Sequence, residues 1–189
     1  MALVLDGNGT MTVGNGDITG ITRGAIESTA IGAGAVLQVV STTKTDTFST
    51  TSATMIDVTG LSVSITPTSS SSKILIMLSM NLAGQNANAG AAYQLVRGST
   101  AICIGDLAGS RPQASGGIAY IADPNSFTTV SGTFLDSPAT TSSTTYKIQV
   151  VGEGNSSGAY VNRTQNDSNG TNYYNARTAS TITVMEIAA

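Results

Sequence analysis

The 189-residue sequence contains no histidine, and only 10% of its residues are charged. Without histidine, neither a Ser–His–acid nor a Cys–His catalytic arrangement is possible, and His metal ligands are absent too. A glycosidase needs two opposed carboxylates at a defined separation, and the spacing of the Asp and Glu residues does not indicate such a pair. The sequence therefore favours a non-enzymatic protein, and it predicts no catalytic residue, no cofactor and no metal site.

Cysteine is almost absent as well, since Cys103 is the only one in the chain. A single cysteine excludes an intrachain disulfide and a zinc cluster of cysteines. In the passage TAICIG it lies between two isoleucines, which is typical of a small buried apolar side chain. We therefore expect Cys103 to be buried and unreactive.

Clustered positive charge and long apolar runs are also missing. The eight Lys and Arg residues are scattered and the net charge is −3, whereas nucleic-acid binding needs clustered basic residues that neutralise phosphates. The longest apolar run, around Ile74 to Leu82, falls far short of the roughly 20 residues that span a bilayer. The opening MALVLDGNG has no basic segment, and Asp6 interrupts its apolar run, so we expect no secretion signal. Nucleic-acid binding and membrane insertion are both disfavoured, and the low charge suggests a surface partly covered by other subunits.

The pattern that is present is β from Gly34 onward. Short segments rich in Val, Ile and Thr alternate with Gly, Ser, Asn and Pro clusters, and neither a long helical period nor a βαβ alternation occurs. This spacing predicts an all-β fold, an antiparallel jelly-roll-like β-sandwich. The predicted strands are 35–40, 46–50, 54–58, 61–66, 73–82, 91–98, 100–105, 116–122, 127–135, 145–152, 158–162 and 179–188.

Two consecutive strands differ in their faces. The segment LSVSIT (61–66) alternates apolar and hydroxyl residues, so one of its faces is predicted to be buried and the other wet. The segment KILIMLSMNL (73–82) is apolar on both faces over its first half. Such a strand needs a second cover, which is either a neighbouring subunit or the chain's own loops. The candidate interface residues are Leu75, Met77, Ile74 and Ile76.

Residues 1–33 differ from the rest and are interpreted as an N-terminal arm and linker preceding a β-sandwich domain at 34–189. Two Gly-Asn-Gly turns, at 7–9 and 14–16, flank strands too short to be stable alone. Residues 23–34 are either a short helical turn or a small-residue linker. The arm suits strand addition to a partner, which supplies main-chain hydrogen bonds to an exposed edge. Its candidate docking residues are Leu3, Leu5, Met11 and Val13.

The most distinctive polar segment is 152–177. Its tyrosines, arginines and asparagines are of the kind that bind polar ligands such as glycans, although a solvated loop whose tyrosines pack at a subunit edge has the same composition. The candidate receptor or glycan contacts are Tyr160, Arg163, Tyr173, Tyr174 and Arg177. A carbohydrate-binding module is a remoter alternative for the whole chain, and it predicts glycan binding that is lost when Tyr173 and Tyr174 become alanine.

Several passages together resemble virion structural proteins of tailed bacteriophages. They are MALVLDGNGTMT, GAVLQVV, DTFSTTSATMIDVTGLSVSITPTSSSSKILIMLS, YQLVRGSTAICIGDLAGSR, GTFLDSPATTSSTTYKIQV and ASTITVMEIA. The resemblance implies a homotrimeric fibre or knob that is assembled in the host cytoplasm, docked to another virion protein by residues 1–33, and exposes a β knob to a host receptor. The sequence has no long repetitive shaft, which keeps a capsid decoration protein that stabilises the phage head as the alternative. Head or tail location, and a trimer or another oligomer, stay open at this point.

Overall fold

The computed structural model describes residues 32–85, 89–119, 123–153 and 157–189. From Ala33 onward they belong to one compact unit, and they confirm the all-β prediction. The arm residues Leu3, Leu5, Met11 and Val13 lie outside the described residues, so the domain division at residue 33 stays a prediction. The strands are β1 (Val36–Lys44), β2 (Phe48–Thr50), β3 (Ile56–Ile65), β4 (Lys73–Gly84), β5 (Ala91–Arg97), β6 (Thr100–Ile102), β7 (Gly116–Ile118), β8 (Thr128–Asp136), β9 (Thr144–Gly152), β10 (Ala159–Val161) and β11 (Ser180–Ile187), with one 3-10 helix at Tyr173–Asn175.

The first sheet, sheet one, is built around β4. On one side β4 pairs with β8 along nine consecutive residues. On its other side β11 pairs with Lys73–Ser79 and β10 pairs with Leu82–Gly84, so that β10 and β11 share one strand position. Strand β1 pairs with the outer side of β11, and β2 pairs with the outer side of β10. Strands β1 and β2 therefore also share one strand position. Sheet one therefore has four strand positions, two of which are occupied by interrupted strands.

The second sheet, sheet two, has the order β3–β9–β5, and β6 and β7 lie end to end along the outer side of β5. Every strand pair is antiparallel. The chain crosses between the sheets at each step from β2 to β3, β3 to β4, β4 to β5, β7 to β8, β8 to β9 and β9 to β10. Two four-position sheets linked in this alternating order are the topology of a jelly roll.

The core lies between the two sheets and consists of alternate residues of each long strand. In β3, Leu61, Val63 and Ile65 are buried while Ser62 and Ser64 are exposed, as the alternation predicts. Each aliphatic side chain removed from water in this way stabilises the fold by about 1.5–3 kcal/mol. Sheet one contributes Ile74, Ile76, Leu78, Met80, Leu82, Val161, Ile182 and Val184 to the same core.

Asn162 connects the segments at which two strand positions of sheet one are interrupted, between β10 and β11 and between β1 and β2. It follows β10, is fully buried, and has a φ of 62°, a conformation that asparagine tolerates better than most residues. Its Nδ2 donates to the carbonyl oxygens of Lys44 (2.9 Å) and Asp46 (3.0 Å), and Ser180 Oγ donates to its Oδ1 (2.6 Å). Residues 163–179 can therefore leave the sheet as a loop without separating β10 from β11.

A buried carboxylate fastens the β3–β4 connection to sheet one. Glu186 on β11 is fully buried, and it accepts hydrogen bonds from Gln38 Nε2 (2.6 Å) and from the backbone nitrogen and Oγ1 of Thr68 (2.7 Å each). Burial raises the pKa of Glu186, but the hydrogen bonds from Gln38, Thr68 and Ser72 outweigh it and hold the pKa below its ordinary value. A carboxylate that is ionised and saturated with neutral donors stabilises this end of the sandwich.

This arrangement predicts an acid-sensitive fold. Because the pKa of Glu186 is lower in the folded than in the unfolded chain, its contribution is fully present above the ordinary value of 4.5 and is lost as the pH falls through the folded-state value. Glu186→Gln should cost about 1–3 kcal/mol at pH 7, because the amide has one acceptor oxygen and its NH2 group would face one of the donors. Urea unfolding at pH 7 and at pH 4 should show a smaller pH effect in the variant. Equal pH effects in the two proteins would contradict this role.

Candidate interaction surfaces

The face of sheet one that points away from the core, called the sheet-one outer face below, carries an apolar row. Cross-strand pairing places Val39, Met185, Leu75 and Leu135 side by side on β1, β11, β4 and β8. Val39 is 54% exposed and Leu135 is 48% exposed. Such a continuous band is covered by none of the described residues, although isolated apolar side chains on a surface would be ordinary.

The two rows that follow the apolar row on one side are uncharged. The next row contains Met77, which is 44% exposed, flanked by hydroxyl residues, and the row after it contains hydroxyl residues alone. Among the residues of β1, β4, β8 and β11, the only charged side chain on this face is Lys73 at the start of β4. These two rows are Ser41, Thr183, Met77 and Thr133, then Thr43, Thr181, Ser79 and Ser131.

The outer face of sheet two is different. Lys147 Nζ lies 2.7 Å from Asp57 Oδ2, and Gln149 Nε2 donates to Asp57 Oδ1 at 2.7 Å. The hydrogen bond from Lys147, followed by that from Gln149, lowers the pKa of Asp57. One face of the sandwich is thus a polar, ion-paired surface suited to water, whereas the other lacks the charges that disfavour protein contact.

The four candidate interface residues fall on two different faces. Leu75 and Met77 lie on the sheet-one outer face, as alternation along β4 requires. Ile74 and Ile76 are 0% and 1% exposed and pack between the sheets. These two isoleucines are therefore core residues and are not available to a neighbouring subunit.

The loop between β10 and β11 contains most of the candidate receptor contacts. The Arg163 guanidinium lies 5.0 Å from the centre of the Tyr160 ring. Asp167 pairs with Arg163 at 3.2 Å and also pairs with Arg177. Arg163 further donates to the carbonyl oxygens of residues 164 and 165. The structure thus gathers three of the five candidates around Asp167, where both arginines are already paired and serve to hold the loop.

The other two candidates lie on the 3-10 helix of the same loop. Tyr173 is 95% exposed and Tyr174 is 49% exposed, and Asn172 Nδ2 donates to the Tyr174 hydroxyl at 2.8 Å. An aromatic ring this exposed offers an apolar face and a polar tip to an incoming partner. This pair, and not the arginines, is the part of the loop with unused binding capacity.

A polar cluster that sequence reasoning missed joins the two sheets. Arg97 on β5 donates through Nη1 to both oxygens of Asp136 on β8, at 2.8 and 2.9 Å. The Tyr146 hydroxyl on β9 donates to Asp136 Oδ2 at 2.7 Å. Burial, together with the bond to Asp136, raises the pKa of Tyr146 far above its ordinary value. These residues are 39 and 10 positions from Asp136 in sequence, so no local motif could have pointed to them, and their role is to stabilise the sandwich.

Cys103 is exposed, so the prediction that it is buried is wrong. Strand β6 ends at Ile102, which is buried, so alternation directs the next side chain outward, and Cys103 follows the strand with a φ of 53°. The flanking isoleucines suggested a longer strand than the one that forms.

Within the described ranges, no three His, Cys, Asp or Glu side chains stand close enough together to hold a metal ion. None of the helices formed by these residues is long and apolar enough to cross a membrane.

No protein-family model matches the chain, and no curated protein matches it. Among solved structures, a chain from the structure of infectious bursal disease virus, Gx strain, is 14% identical with a TM-score of 0.40, covering 82% of this chain and 41% of that one. A chain from the Gt strain structure is 11% identical with a TM-score of 0.41, covering 80% of this chain and 38% of that one. The present chain thus spans about two fifths of the length of those viral chains.

Proposed function

We propose that this chain is a non-enzymatic structural protein of a bacteriophage virion, a homotrimeric knob that residues 1–33 dock to another virion protein. The observation that carries the proposal is the sheet-one outer face, whose row of Val39, Met185, Leu75 and Leu135 is apolar and uncovered by the described residues. A jelly roll with one ion-paired face and one apolar face that Lys73 charges only at its margin is suited to packing against copies of itself.

The chemistry of this face supports self-association over the binding of a charged partner. An apolar row flanked by Ser and Thr hydroxyls gives a contact with an apolar centre and a polar rim, the usual anatomy of a subunit interface. A single positive charge at its margin, Lys73, does not provide the basic cluster that an anionic partner requires. A second copy presents the same apolar row and leaves Lys73 at the margin of the contact, so no unpaired charge is buried.

The first experiment is the solution mass of the full-length protein by multi-angle light scattering. We expect three times the chain mass of 19.0 kDa, and the same multiple after deletion of residues 1–33, since the outer face belongs to the sandwich. The deleted protein should then fail to enter phage particles. A monomer in both forms would overturn the proposal and would favour a monomeric carbohydrate-binding module.

Two readings of the exposed surface remain to be separated. Host attachment is supported by Tyr173 and Tyr174, which the loop presents to solvent, and purified protein should then compete with phage adsorption. Capsid decoration, the alternative, requires that the protein protect phage heads against heat or osmotic shock. Competition without head protection would support the attachment role.

A further inference from the structure

A sandwich of two open sheets has four edges, and three of them are interrupted or short. Strand β1 contains a register shift between Val36 and Gln38, and it is separated from β2 by residues 45–47. Strand β3 contains a register shift between Asp57 and Ser62, and Gly60 there has a φ of +81°. The fourth position of sheet two holds only three-residue strands, β6 and β7. Bulges and short strands are the devices that keep sheet edges from pairing with other chains.

Strand β8 has none of these devices. It is nine residues long, TTVSGTFLD, and its register with β4 runs without a shift from Ile74↔Asp136 to Leu82↔Thr128. It contains no proline, and its only charge, Asp136, is buried at its last position. Among the described residues β8 pairs with β4 alone. Alternate main-chain groups along its free side are therefore available to another strand.

An apolar cleft of about 200 Å³ lies between the sheets directly beside this edge. Its walls include Ile76 and Leu78 of β4, Tyr93 of β5, and Phe134 of β8. Gly132 of β8 also lines the cleft, and a Cβ there would lie 3.2 Å from the Tyr93 hydroxyl, so the glycine keeps this space open. A strand added to β8 extends sheet one, and every second one of its side chains would point into this cleft.

We propose that the free edge of β8 is a strand-addition site for an extended, uncharged segment of another polypeptide with an apolar residue at every second position. Main-chain hydrogen bonds along β8 supply the ladder, and the cleft selects the inward side chains. A charged segment is excluded, because the edge and the cleft hold no free charge that could pair with it. The proposal goes beyond the virion role, and the trimer expected from light scattering neither requires nor excludes it.

Cys103 provides the test, because it is the chain's only cysteine, is exposed, and lines the cleft. The probe is an acetylated and amidated LSVSIT peptide, which has the required alternation. Its twin carries methyl groups on alternate backbone nitrogens and cannot form the ladder. We expect the first peptide to slow modification of the Cys103 thiol by a disulfide reagent about tenfold, since thiol reactivity follows exposure. The methylated twin should leave the rate unchanged.

A matched pair of variants locates the binding to the edge. Ser131 on β8 and Ser79 on β4 are cross-strand neighbours on the same face, but only Ser131 lies on the edge strand. Ser131→Lys should abolish protection of Cys103, because an edge lysine disfavours strand pairing, whereas Ser79→Lys should preserve it. No protection at millimolar peptide, or equal protection by both peptides, would overturn the proposal. The proposal would also be overturned if, without peptide, Cys103 became better protected as the protein concentration rises. That result would show that a second copy of the chain occupies the edge.

Discussion

Replacing Asp136 by alanine is expected to lower the free energy of unfolding by about 3 kcal/mol, within the range seen when one member of a buried ionic cluster is removed. The substitution leaves Arg97, whose side chain is 31% exposed, without its carboxylate. It also leaves the fully buried Tyr146 hydroxyl without an acceptor. Because these three residues come from both sheets, the loss should be felt across the whole sandwich and not at one loop.

Chemical denaturation of three variants separates the parts of this cluster. Tyr146→Phe removes one hydroxyl and its hydrogen bond, so we expect a loss of only about 1 kcal/mol. Asp136→Asn retains the shape and one acceptor oxygen, and its effect should lie between the other two. If Asp136→Ala were no more destabilising than Tyr146→Phe, the Arg97–Asp136 contact would contribute nothing measurable to stability.

The strand pattern could be predicted from the sequence because alternation and turn residues are local signals. From Gly34 onward, the described residues form eleven strands where twelve were expected. The predicted strands 54–58 and 61–66 form the single strand β3, because the chain passes through Gly60 with a φ of +81° and a register shift in place of a turn. The sequence shows a glycine there, but glycine is typical of both a chain reversal and a β-bulge, so the sequence alone does not distinguish the two.

The interaction surfaces were harder to predict, since alternation identifies two faces of a strand without saying which one is covered. Leu75 and Ile76 are equally apolar, and only the packing of sheet two against one face of β4 buries Ile76 and leaves Leu75 outside. The polar character of the loop at 163–179 could likewise be predicted. That the loop leaves the sheet between β10 and β11, which share one strand position, could not, because it depends on contacts of Asn162 with residues about 116 to 118 positions away.

The largest functional effect is expected from a charge placed on the sheet-one outer face. Leu75→Glu puts a carboxylate in the middle of the apolar row, between Met185 and Leu135. In the free protein that carboxylate stays in water and the fold is retained. In an oligomer it would be desolvated without a partner, at a cost of several kcal/mol. We expect a dissociation constant raised by roughly a thousandfold, which corresponds to about 4 kcal/mol.

Ser64→Glu is the matched control, because Ser64 lies exposed on β3 of the other sheet, where its hydroxyl contacts that of Thr145. It adds the same charge to the same sandwich, and the mass measured by light scattering should stay at the trimer value. Circular dichroism should show both variants folded. If Leu75→Glu is monomeric and Ser64→Glu is trimeric, the apolar row is the subunit contact. If both remain trimeric, the subunit contact lies elsewhere, and the row of Val39, Met185, Leu75 and Leu135 is not part of it.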